Sequence, residues 1–89
     1  MKVIYKYKIG REVALPREAK ILNVDFDRNY VLSLWAIVDT DNEMEERHFE
    51  VCPTGVIIPG AGIGSEKIYV GSAKDIAGIR YHVFEVREC

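Results

Sequence analysis

The sequence predicts a small all-β domain, an antiparallel β-sandwich or an open β-barrel of six to seven strands. Three observations support that class. Apolar and polar residues alternate over short runs, the period of a half-buried strand. Residues 34–39 (LWAIVD) and 81–86 (YHVFEV) carry aromatic and β-branched residues on both faces, the pattern of strands inside a sheet rather than at its edge. No segment sustains a helical period; residues 16–22 and 72–76 have room for one helical turn at most.

The elements follow in order. Residues 2–8 form a half-buried strand, with Val3, Tyr5 and Tyr7 on one face and Ile4, Lys6 and Lys8 on the other. Gly10 breaks it. Residues 11–15 are a short extended piece that Pro16 ends, and residues 16–19 read as a turn. Residues 20–27 give an amphipathic strand with Leu22, Val24 and Phe26 inward. Arg28 and Asn29 supply a tight turn, with Asn29 suited to a positive φ. The return strand, residues 30–39, places Leu32, Leu34, Ala36 and Val38 opposite Ser33, Trp35 and Ile37. Both of its faces are apolar, so it is central or covered by another subunit. Residues 40–44 are an acidic turn. A strand over 45–52 sets Arg47, Phe49 and Val51 against Glu46, His48 and Glu50. Pro53, Thr54 and Gly55 end it. Two last strands, over 67–72 and 79–86, flank a turn.

Eighty-nine residues make one domain, residues 1–89. A chain of this size buries only about 60–65% of its unfolded surface, so a second subunit would add to a thin stability margin. With Trp35 and Ile37 on the second face of their strand, a homo-oligomer is expected. The net charge of -2 leaves no basic excess for generic DNA or RNA binding. Between Asp39 and Glu50 six acids face one base, Arg47. That run reads as a solvated hairpin tip or as an acidic protein-interaction or nucleic-acid-mimic module. No apolar run approaches the roughly 20 residues that span a bilayer, and the start lacks a signal-peptide core. The expectation is a cytoplasmic protein with no membrane partner. Cys52 and Cys89 fit free thiols in a reducing compartment.

Catalytic and metal signatures are missing. Gly60, Gly62 and Gly64 resemble neither a dinucleotide fingerprint nor a phosphate-binding P-loop, since no helix and no Gly-Lys-Ser/Thr follow. They form a crossover or a flap over a ligand. His48 and Cys52 are four residues apart, about 13 Å along a strand, too far to share an ion. No serine or cysteine sits in a nucleophile motif, and Asp25 and Asp27 lie on a solvent face. Neither a cofactor nor enzymatic activity is expected. The aromatic residues remain, interleaved with bases, as a means of holding an anionic ring compound.

The ladder of short motifs carries a resemblance. It runs from IYKY at 4–7 and LP at 15–16, through AKILNV at 19–24 and LWAIVD at 34–39. It continues with FEV at 49–51, Thr54-Gly55, YVGS at 69–72 and YHVFEV at 81–86. In this order, over nearly the whole chain, it resembles a family of small uncharacterised proteins of phages and prophages. The resemblance implies a virus-encoded accessory protein and supplies no activity. With the lack of catalytic signatures, it leads to a non-enzymatic counter-defence protein. Such a protein captures a host defence protein or a small anionic, nucleotide-like signal. For a nucleotide the expected phosphate contacts are Arg47, His48, Arg80 and His82, with Gly62 and Gly64 in the flap. Trp35 or Tyr69 stacks on the base.

Overall fold

The computed structural model describes residues 1–56 and 65–88. Seven strands follow in order: β1 (Lys2–Lys8), β2 (Glu12–Pro16), β3 (Lys20–Phe26), β4 (Leu32–Asp39), β5 (Met44–Pro53), β6 (Ser65–Lys74) and β7 (Arg80–Glu88). They form two antiparallel sheets, ordered β1-β4-β3 and β2-β5-β7-β6. The sheets stack as a sandwich and do not close into a barrel. The Cα envelope, 40 × 37 × 15 Å, is that of two layers. The Gly60, Gly62 and Gly64 flap lies outside the described residues.

The two segments rich on both faces are internal strands. β4 is central in the three-stranded sheet, and β7 lies between β5 and β6 in the other. Leu34, Ala36 and Val38 of β4 point inward onto Leu15, Phe49 and Val83 of the second sheet, and all six are buried. That layer supplies most of the apolar burial that stabilises so small a domain.

Two sequence expectations fail in β3 and its turn. Leu22 is exposed rather than inward. A bulge between Ile21 and Asn23 inserts one extra residue, so Ile21 and Val24 both reach the core and Leu22 is left on the solvent side. The turn after β3 places its positive φ at Tyr30 (60°), not at Asn29. The turn is one residue longer than a two-residue hairpin. Asp27 N–H donates to Val31 O, and Tyr30 N–H to Asp27 O. Asp27 Oδ1 accepts from Asn29 N and Val31 N. The turn between β6 and β7 repeats this pattern at Asp75, with Ala77, Gly78 and Ile79 in the matching places and Gly78 at φ 87°.

A second bulge lies in β6, between Tyr69 and Gly71. Gly71 is where the two sheets approach: a Cβ there would sit 3.3 Å from Val24 Cβ and Cγ2. The strand directions sort the turns into two ends. Phe26 and Tyr81 meet edge-to-face at 5.7 Å, so the β3–β4 and β6–β7 turns share one end. At the other end Asn42 Nδ2 donates to Arg17 O at 2.9 Å, joining the β2–β3 and β4–β5 turns.

Near that second end the inner face of the larger sheet holds a charged pair. Arg47 Nε and Nη2 donate to Glu85 Oε2 and Oε1, each at 2.7 Å, and Nη1 donates to Ala19 O at 2.7 Å. The side chains are 14% and 8% exposed. The fork of hydrogen bonds from Arg47 holds the Glu85 carboxyl below its ordinary range, and Glu85 in turn raises Arg47. One ion pair thus ties β5 and β7 to the β2–β3 turn.

Candidate functional site

Period-two alternation turns Val83 and Glu85 of β7 inward and Arg80, His82, Phe84 and Val86 outward. Register then sets their neighbours on the outer face. Arg80 lies beside Lys74, and His82 lies between Ser72 and Cys52. Phe84 lies between Tyr69 and Glu50, and Val86 between Lys67 and His48. This face has three zones.

The first zone is polar and cationic. Arg80 Nη1 donates to Ser72 Oγ at 3.1 Å. Thr54 N–H donates to Arg80 O at 3.0 Å, and the Thr54 hydroxyl reaches the same carbonyl at 3.3 Å. Thr54 Oγ1 is also 2.8 Å from His82 Nε2. With the hydroxyl proton on the carbonyl, Nε2–H of His82 donates to Thr54, and Nδ1 is left as an acceptor. Among the described residues no carboxylate forms an ion pair with Arg80 or Lys74. The second zone is aromatic: Tyr69 packs edge-on to Phe84 at 5.7 Å and is 57% exposed, so one face of its ring is open. The third zone is neutralised by Lys67 Nζ and Glu50 Oε2, which pair at 2.7 Å across Phe84 and Val86.

The sheet therefore brings Arg80 and His82 together, with Tyr69 on the same face about 13 Å from Arg80 along the strands. His48 shares their face, but it stands about 13 Å from His82 along the strands. It lines a separate groove of about 580 Å³ with Arg11, Glu12 and Val51. Arg47 is on the opposite face of the sheet, committed to Glu85. Trp35 is on the other sheet, half-buried on its outer face between Lys6 and Asn23. Gly62 and Gly64 lie outside the described residues. Ser72, Thr54 and Lys74 belong to the cluster although no motif in the sequence assigns them a site role. Only the β6–β7 register places Ser72 and Lys74 beside His82 and Arg80.

The acids between Asp39 and Glu50 do not gather on one surface. Glu45 and Glu46 alternate across β5, Glu50 pairs with Lys67, and Asp39 and Asp41 pair with the Met1 amino group. Cys52 is a buried free thiol on the outer face. Among the described residues no three His, Cys, Asp or Glu side chains converge to hold a metal ion.

These features define an all-β sandwich with a cationic and aromatic patch on one sheet face. The chain belongs to the DUF7352 family, a domain of unknown function whose model matches residues 1–88. No curated protein and no solved structure matches it.

Proposed function

We propose that the protein is a non-enzymatic binding protein for a small anionic, nucleotide-like ligand, held on the outer face of the β2-β5-β7-β6 sheet. One observation carries this reading: Arg80 and Lys74, unpaired with any described carboxylate, stand on the same face as the open ring of Tyr69. Arg80 and Lys74 take the phosphate oxygens, Arg80 through its fork of donors. Ser72 steadies the guanidinium, and Thr54 fixes the His82 ring beside it. Tyr69, braced by Phe84, offers a stacking face for the base. The four steps from Arg80 to Phe84 span about 13 Å, which leaves room between guanidinium and ring for a ribose.

The resemblance to phage and prophage proteins supplies the role within this reading. The cargo is a host nucleotide signal, and sequestration removes it from the host's defence. Capture needs no reaction, only the cations and the stacking ring of this face. The test passes a mixture of nucleotides over the purified protein, releases what is retained by heat and identifies it by mass spectrometry. Retention that Arg80→Ala and Tyr69→Ala each abolish is the expected result. No retained nucleotide overturns the proposal.

A further inference from the structure

Four exposed apolar side chains meet at one end of the sandwich. Tyr30 is on the β3–β4 turn, Ile76 and Ile79 on the β6–β7 turn, and Val56 just beyond β5. Tyr30 is 68% and Ile76 84% exposed, and none of the four joins the core. Tyr30 and Glu18 are the non-glycine residues at positive φ among the described residues, and Tyr30 is the bulky one. It occupies the left-handed position that Gly78 fills in the twin turn, a costly place for a bulky side chain. Its hydroxyl has no hydrogen-bond partner among the described residues, so no polar contact among them offsets the strain.

Cations stand just behind these tips. Lys8 ends β1, Arg28 sits beside Tyr30, and Lys74 and Arg80 flank the second turn; all four are exposed. Asp25, Asp27 and Asp75 lie at the same end, but Asp27 is already paired with Lys6 at 3.0 Å. Asp75 is turned back onto Ala77 N, Ile79 N and the Tyr81 hydroxyl. At the opposite end Asp39 and Asp41 are paired with the Met1 amino group, and Glu18 and Glu43 stand with Arg17 and Lys2. Among the described residues none of the four exposed cations of the turn end forms an ion pair.

We propose that the Tyr30/Ile76 end docks on an anionic bilayer surface. The apolar tips enter the headgroup layer, and Lys8, Arg28, Lys74 and Arg80 meet the lipid phosphates. Tyrosine suits that depth, with an apolar ring and a wet hydroxyl. Arg28 stands near Tyr30, and Lys74 and Arg80 flank Ile76 and Ile79. Protein–protein interface cores are depleted of charge, so this interleaving matches a headgroup layer better than a packed protein contact. The sequence expectation of no membrane partner rested on the lack of a spanning run, and surface docking needs none. The surface shares Lys74 and Arg80 with the nucleotide reading but depends on neither Tyr69 nor His82.

The full chain is sedimented with phosphatidylcholine vesicles, with and without phosphatidylserine. The expected result is retention only with phosphatidylserine, reversed by high salt. Replacing Ile76→Ser together with Tyr30→Gly lowers retention about tenfold or more and leaves nucleotide retention unchanged. Tyr30→Gly also relieves the turn, so the loss does not come from misfolding. No sedimentation, sedimentation independent of phosphatidylserine, or an unaltered double variant each overturns the proposal. Complete lack of sedimentation returns this end to an acidic protein partner. Vesicle binding without nucleotide retention leaves this inference standing and removes the earlier one.

Discussion

The two ends of the sandwich are held by different means. At the Arg17/Asn42 end, chain segments distant in sequence are tied together: Arg47 grips Glu85 and the Ala19 carbonyl, and Asn42 reaches the Arg17 carbonyl. At the other end each turn is closed by its own aspartate, Asp27 or Asp75, through local backbone hydrogen bonds, and the longer ties, Lys6–Asp27 and Thr54–Arg80, leave the tips out. A cross-linked end resists change, because removing one partner strands another in a buried site. A locally closed turn can carry almost any side chain at its tip. The exposed apolar residues sit where the scaffold does not need them, and that freedom makes the turn end the place for recognition.

The largest test of the contrast is Glu85→Gln. It leaves the Arg47 side chain, 14% exposed, without its paired carboxylate and with only the more distant Glu45, which costs about 2–3 kcal/mol, the low end for a broken buried pair. In a domain this small the melting temperature falls by about 10 °C or more. A joint Arg47→Met and Glu85→Leu replacement recovers most of the loss, since a well-packed apolar pair has no desolvation penalty. If Glu85→Gln melts like the parent, the tie is not what holds that end.

The same pair predicts acid lability. The Glu85 carboxyl is held down first by the Arg47 hydrogen bonds. Asp27 is lowered chiefly by the Val31 N–H, with help from Lys6. Burial pushes Asp75 up, but Ile79 N–H, the Tyr81 hydroxyl and Ala77 N–H together bring it below its ordinary value. Each folded value is depressed, so each contribution is complete above the ordinary carboxylate range. It is lost as pH falls from about 4 through the folded values. Thermal melts across that window should fall steeply in the parent and less steeply in Glu85→Gln.

Two smaller changes compare the twin turns directly. Gly78→Tyr copies the strained tip of the first turn into the second and should cost about 1–2 kcal/mol by denaturant unfolding. Tyr30→Gly does the reverse and should gain less, about 0.5–1 kcal/mol, because glycine also adds freedom to the unfolded chain. A destabilised Tyr30→Gly would mean that the ring has a folding role, and the argument from uncompensated strain would fail.

Much of this architecture was readable in advance. The two-faced apolar patterns of β4 and β7 mark internal strands wherever they occur. The alternation in β1 and β5 assigned their faces as found. The misreadings share one cause. The bulge at Leu22 shifts the phase of β3 by one residue, and a one-residue shift exchanges inside for outside. No local pattern announces a bulge. In the turn, Asn29 has the better intrinsic preference for positive φ, but the Asp27–Val31 pairing fixes which residue must adopt it. The candidate site divided on the same grounds. Tyr69, Arg80 and His82 lie on adjacent strands at matching phase and share one face. Arg47 differs in phase from His48 by one residue and so faces the other way. Trp35 went to another sheet.

The sequence alone determined that this chain forms strands and that β4 and β7 are internal; β5, internal too, carries no such two-faced pattern. Those properties depend on side chains one and two positions apart, within reach of a period-two pattern. The tertiary structure decided which strands are neighbours, what Arg47 and Arg80 face, and which turns share an end. Those depend on register between segments tens of residues apart. There, one inserted residue or one buried hydrogen bond outweighs any local preference.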